Sequence, residues 1–207
     1  MKKFLLSSTL TLMICAVAMI GKGQVQLGVH GSRLNGTDAD QWGAGVNLKY
    51  LFDNHLALGG AVRWYPKNLK TDTYEVNGTK YNYQHGNVIL PVTGSVDYYF
   101  GTAPVRPYIG SDVGVYFTKY VVTTEGANYA SYSQSNNKAY FGVAPRAGLD
   151  VEFGKSFGVF GQAGYNYLFG YGDGNHITIP GINTPLTTKA TNKFWTFDLG
   201  LLFKFGS

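Results

Sequence analysis

The chain closes on FWTFDLGLLFKFGS, residues 194–207, where large apolar side chains recur at every second position. Trp195, Phe197, Leu199, Leu201, Phe203 and Phe205 alternate with Thr196, Asp198, Gly200, Leu202 and Lys204. Period-two alternation marks a strand whose two faces meet different surroundings. Two surroundings fit. In a water-soluble protein the greasy row is the core face and the charges meet water. In a transmembrane barrel the greasy row meets lipid and the charges line the interior. The rest of the chain has to choose between them.

The same period recurs in eight segments: residues 25–32, 42–52, 55–65, 88–100, 108–118, 139–153, 159–169 and 194–207. No segment sustains a helical period. In residues 42–52, Trp42, Ala44, Val46, Leu48, Tyr50 and Phe52 stand opposite Gly43, Gly45, Asn47 and Lys49. Residues 139–153 set Phe141, Val143, Ala147, Leu149, Val151 and Phe153 against Gly142, Arg146, Gly148, Asp150 and Glu152. Connections near residues 53–54, 101–106 and 154–157 are tight. Those at 66–87, 119–138 and 170–193 are long and polar, and 33–41 is shorter. Short turns at one end, long loops at the other and an even strand count describe an up-and-down barrel. Pro91 and Pro145 fall inside strands, where proline cannot donate to a ladder. Bulges or missing ladder bonds are expected there.

The first segment stands apart. MKKFLLSSTLTLMICAVAMIGKG has Lys2 and Lys3, then an apolar run from Phe4 to Ile20, then small residues. This is the layout of a secretory signal peptide over residues 1–23, with cleavage expected near Gly23–Gln24 and Ala18–Met19 as second choice. A spanning anchor fits less well, because the run is at the short end of the ~20 residues a membrane helix needs. Cys15 hints at a lipoprotein leader, but bulky Ile14 beside it argues otherwise. Without Lys2, Lys3 and Lys22 the formal charge falls from +5 to +2. The basic balance is therefore partly a property of the leader, and no clustered basic face points to nucleic acid. The mature chain, residues 24–207, has no cysteine, so disulfides, thiol catalysis and cysteine metal sites are excluded.

Charged residues make up 14% of the chain, against about 25% in ordinary soluble domains. The polar faces carry too many glycines and too few charges to coat a soluble lipocalin. The lumen of an eight-stranded barrel is just wide enough for side chains. Its expected lining includes the cations Lys49, Arg63, Arg146 and Lys204 and the carboxylates Asp97, Asp112, Asp150, Glu152 and Asp198. Isolated buried charges cost several kcal/mol each, so these must pair or hold water. Asp112 with Arg146 is the first pair expected. Trp42, Trp64, Tyr165, Tyr167 and Phe169 fall at the loop end of their strands. Phe52, Tyr98, Phe100, Phe153, Phe203 and Phe205 fall at the turn end. That is the arrangement of two aromatic girdles.

Together, the leader, the eight amphipathic strands and the terminal LLFKF resemble the small eight-stranded outer-membrane barrels of Gram-negative bacteria, the OmpA/OmpX/OmpW-like group. The textures YLFDNHLALGGAVRWY, RPYIGSDVGVYF and FWTFDLGLLFKF resemble the outer-membrane β-barrel domain proteins of Bacteroidetes. The resemblance covers the mature chain and implies residence in the cell outer membrane, among lipid and lipopolysaccharide. It implies delivery by the barrel-insertion machinery, which reads an aromatic last strand; here Gly206 and Ser207 follow Phe205. The residues themselves show no catalytic constellation, so a non-enzymatic structural or surface-interaction role is expected, with an extracellular partner meeting loops 66–87, 119–138 and 170–193. A narrow porin-like channel is the alternative. A lipid-modifying enzyme built on His30 and Ser32 stands third, since no oriented acid is evident. No cofactor and no metal are expected, because no histidine pair has ligand spacing.

Overall fold

The computed structural model describes residues 23–36, 40–68, 70–76, 79–126, 129–170, 175–177, 186–188 and 192–206. The leader therefore lies outside the described residues, save Gly23. The strands are β1 (Gln24–Gly36), β2 (Asp40–Leu51), β3 (Leu56–Trp64), β4 (Lys70–Val76), β5 (Thr79–Tyr99), β6 (Val105–Gly126), β7 (Tyr129–Glu152), β8 (Phe157–Leu168), β9 (Asn175–Ile177), β10 (Leu186–Thr188) and β11 (Lys193–Phe205). Eight of them close a ring in the order β1, β2, β3, β5, β6, β7, β8, β11. Every pairing is antiparallel, and β1 seals the ring against β11 from Val25↔Phe205 to Gly36↔Phe194. Closure removes every sheet edge within the barrel, as lipid requires, since hydrocarbon cannot satisfy a free N–H or C=O.

The greasy rows face outward. Leu199 is 73% exposed, while its neighbour Asp198 is 5% exposed. Val46, Leu48, Leu58, Val62, Val92, Val96, Ile109, Val113, Phe141 and Leu149 are exposed in the same way on the other strands. Trp42, Trp64, Trp195 and Phe169 crown one end of this apolar wall, and Phe52, Tyr98, Phe100, Phe153 and Phe205 ring the other. Rings within each girdle touch: Tyr165 and Trp195 lie 5.0 Å apart, Tyr98 and Phe100 5.2 Å. Of the two surroundings, lipid is the one this arrangement selects, because water would drive the same side chains inward.

The turns at one end are short. Asp53 Oδ1 accepts the backbone N–H groups of His55 and Leu56, both at 2.7 Å. These two donors hold the Asp53 carboxyl below its usual range. Gly101 and Gly154 adopt φ of 96° and 93° in the other two turns, a region that side chains disfavour.

The other end differs from the sequence expectation. Residues 119–138, read as a loop, continue the ladder of β6 and β7 out to Gly126↔Tyr129. Residues 66–87 contain β4 and the first part of β5, paired from Lys70↔His85 to Val76↔Thr79. Within 170–193, β9 and β10 pair as a small hairpin. Of the expected 33–41 loop, residues 33–36 belong to β1 and residues 40–41 to β2. A ladder that rises beyond the bilayer has water on both sides. It needs no apolar alternation, so the period-two signal fades while Thr, Tyr and Val keep the chain extended.

Both prolines coincide with gaps in a ladder, with no shift of register. β3 pairs β5 up to Val62↔Val92, and pairing resumes at Tyr65↔Ile89, so the gap falls beside Pro91. β7 pairs β8 at Val143↔Tyr167 and again at Arg146↔Gly164, skipping Pro145. The missing proline N–H removes a bond and leaves the neighbouring strands aligned.

Candidate functional site

The lumen is filled in three layers. At the loop end, Leu34, Tyr65, Ile89, Tyr116, Leu168 and Phe194 form an apolar plug. At the turn end, Leu51, Ala57, Tyr99 and Tyr108 form a second cluster. Charged groups occupy the space between and beside them. The interior is thus less uniformly small and polar than the alternation implies: among the described residues Tyr65, Tyr99, Tyr108, Tyr116, Phe160 and Phe194 are buried in it, and Tyr140 packs against the loop-end cluster.

Glycine on neighbouring strands makes the room. A Cβ on Gly142 would stand 2.7 Å from Leu168 Cδ2 and 2.7 Å from Tyr116 Cε2. Gly142→Ala is therefore expected to lower stability by about 1–3 kcal/mol through overpacking. Gly31→Ala is the control, since its added Cβ meets nothing within 4 Å. Urea titration of both variants folded into vesicles checks this; equal midpoints would refute the socket.

The ion pairs form a continuous chain across the lumen. Lys49 Nζ on β2 lies 2.9 Å from Asp97 Oδ2 on β5. Asp97 Oδ1 accepts from Arg146 Nη2 on β7 at 2.6 Å. Arg146 Nη1 stands 3.2 Å from Asp112 Oδ1 on β6. Asp112 Oδ2 accepts from Arg63 Nη1 on β3 at 3.0 Å, and Arg63 Nε donates to Asp198 Oδ2 on β11 at 3.1 Å. Asp198 also accepts from Gln162 Nε2 at 2.6 Å and from the Ser32 hydroxyl. Since the Ser32 proton goes to Asp198, Tyr65 Oη donates to Ser32 Oγ at 2.6 Å. Gln162 Oε1 accepts from Tyr108 Oη at 2.7 Å and Arg146 Nη1 at 3.2 Å, tying β6, β7 and β8 together.

A second group sits toward the turns. Arg106 Nε is 2.8 Å from Glu152 Oε1, its Nη2 is 3.7 Å from Asp150 Oδ2, and Lys204 contacts Glu152. The Arg106 guanidinium lies 4.5 Å from the Tyr99 ring centre, and Lys49 Nζ lies 4.5 Å from that of Tyr108. Arg106 is the cation that sequence reasoning missed, having assigned it to a turn. β6 begins at Val105 and points Arg106 inward. Among the described residues, its inclusion brings the lumen to five cations (Lys49, Arg63, Arg106, Arg146 and Lys204) against five carboxylates (Asp97, Asp112, Asp150, Glu152 and Asp198). Overall neutrality is what a packed, low-dielectric interior demands.

His30 and Ser32 both face Asp198, with His30 Nε2 3.8 Å from its carboxylate. They do not form a nucleophile and base. Among the described residues neither imidazole nitrogen has a hydrogen-bond partner, and the serine proton goes straight to the acid. Both side chains are sealed inside the lumen, away from the lipid-facing wall. Among the described residues no group of His, Cys, Asp and Glu is arranged to hold a metal ion.

No family model matches the chain. No curated protein matches it either. Solved structures do. A major outer membrane protein from Thermus thermophilus superposes with a TM-score of 0.60 at 14% identity, over 88% of this chain and 99% of that one. The outer membrane protein OprG from Pseudomonas aeruginosa superposes at 0.51 with 14% identity, over 90% and 97%. At such identities the likeness speaks for the backbone arrangement. With the apolar outer wall and the closed antiparallel ring, it establishes that the chain has the fold of the small eight-stranded outer-membrane β-barrels.

Proposed function

We propose that the protein is a non-enzymatic integral component of the outer membrane that works through the structures it raises beyond the bilayer. The observation that carries this reading is the filled lumen. Among the described residues, an apolar plug at one end, an aromatic cluster at the other and ion pairs between them occupy the space that a channel would need. The barrel is then a rigid stem. The β4–β5 and β6–β7 hairpins, with the 170–193 segment, are its working surface and meet an extracellular partner. Residues 1–23 serve as the cleaved leader, and the insertion machinery recognises the β11 aromatics ending at Phe205.

Planar-bilayer recording tests the stem. The wild-type protein is expected to give no steady conductance. A stable open level would favour the narrow channel instead, since it would require the Arg63 and Arg146 bridges to part. Replacing β6–β7 residues 119–138 by a short turn tests the surface: the barrel should still fold, and a cell-surface binding phenotype should be lost. Mass spectrometry of lipid A from cells with and without the protein is expected to show no change, and a changed acyl pattern would revive the enzyme reading.

A further inference from the structure

The outer wall carries a locally polar patch on three adjacent strands near the loop end. β1, β11 and β8 lie side by side. Asn35 pairs with Trp195, and Trp195 pairs with Tyr165, so the three form a single row across the strands. All three occupy outward-facing positions. One row further out Lys193 pairs with Tyr167, its Nζ 5.6 Å from the ring centre. With Gly36 and Asn192 these groups line a shallow recess. Below it the wall continues as Phe197, Leu199 and Leu201.

The two cations of this region differ. Arg33 is matched by Asp40, at 3.2 Å and 3.0 Å through Nε and Nη2, and it lies 5.3 Å from the Trp42 ring centre. Lys193 has its aromatic contact and, among the described residues, no carboxylate partner. An aromatic girdle alone would be an ordinary interfacial anchor. An ammonium with no carboxylate partner among the described residues, beside two amides and two aromatic faces and directly above an acyl-compatible wall, is a more specific set.

We propose that this recess holds the phosphorylated saccharide headgroup of an outer-leaflet lipid. The Lys193 ammonium takes the phosphate, a charge-assisted contact strengthened at the edge of the low-dielectric layer. The Asn35 and Asn192 amides meet sugar hydroxyls. Trp195 and Tyr165 cover the sugar–acyl junction, and the acyl chains lie along Phe197 and Leu199. The continuity of the patch with this apolar wall selects a lipid over a soluble phosphosugar. The inference rests on the outer-membrane reading above.

The test uses the full mature barrel in detergent micelles, studied by native mass spectrometry with diphosphoryl lipid A, its dephosphorylated form, and a soluble glucosamine phosphate as competitor. Lys119→Gln is the control, an exposed lysine on β6 outside the recess. Wild type and Lys119→Gln are expected to retain the phosphorylated lipid about fivefold better than the dephosphorylated one, and Lys193→Gln to lose that preference. The soluble competitor is expected to displace nothing. Equal retention of both lipids by wild type, equal loss in the two lysine variants, or displacement by the soluble sugar would each overturn the site. All variants are first run on a cold detergent gel. A wild type without the compact, heat-modifiable form would overturn the barrel reading itself, whereas a compact protein without lipid preference overturns only the recess.

Discussion

Arg63→Met is expected to cost the barrel about 3–5 kcal/mol, the range for removing one partner of a buried ion pair. Arg63 is the bridge between Asp112 and Asp198, which it binds at 3.0 Å and 3.1 Å. Both carboxylates are almost wholly buried. Without the guanidinium, Asp112 keeps Arg146, and Asp198 keeps Gln162 and Ser32, but the lumen holds one uncompensated negative charge. The measurement is the temperature at which the compact gel form converts to the unfolded one, together with the urea midpoint in vesicles. Asp198→Asn added to Arg63→Met restores neutrality and is expected to recover most of the loss. A double variant as unstable as the single one would mean that the arginine acts by filling space rather than by its charge.

Leu199→Arg is expected to cost about 2–4 kcal/mol and to impair membrane assembly, since a cation on the lipid face is most expensive at the bilayer midplane. Leu199 is the most suitable position because it lies at the middle of β11, between the Trp195 and Phe205 girdles, and is the most exposed large apolar residue described. The check is the fraction of protein recovered from the membrane in the compact form. Asn137→Arg, at an exposed position in the loop-end part of β7, is expected to be nearly silent. Normal insertion of Leu199→Arg would contradict lipid contact at this wall.

The two variants probe opposite faces of the barrel, and the sequence exposes those faces unequally. Along the outer face the rows are nearly unbroken, so eight segments, their order and their turn ends can be read directly. Along the inner face the same alternation says that Thr196, Asp198 and Lys204 share a side. It does not say which group each inward tyrosine meets there: Tyr65 reaches Ser32, Tyr108 reaches Gln162 and Tyr116 reaches Asn166. Arg106 was hidden for another reason. It follows a turn by one strand residue, and a boundary error of that size flips a side chain from lumen to loop.

What the sequence by itself determined is local: an extended chain, its period, the charge-poor composition and therefore the side that lipid touches. Each of these is a property of residues two apart, and solvent preference acts on them one strand at a time. What only the tertiary structure decided is which group meets which across the lumen. Arg63 and Asp198 are separated by 135 positions, and they meet because ring closure and strand stagger bring β3 and β11 to the same height. The hairpins beyond the bilayer belong to this second class as well. Water on both of their sides erases the alternation, and only the paired ladder reveals them as strands.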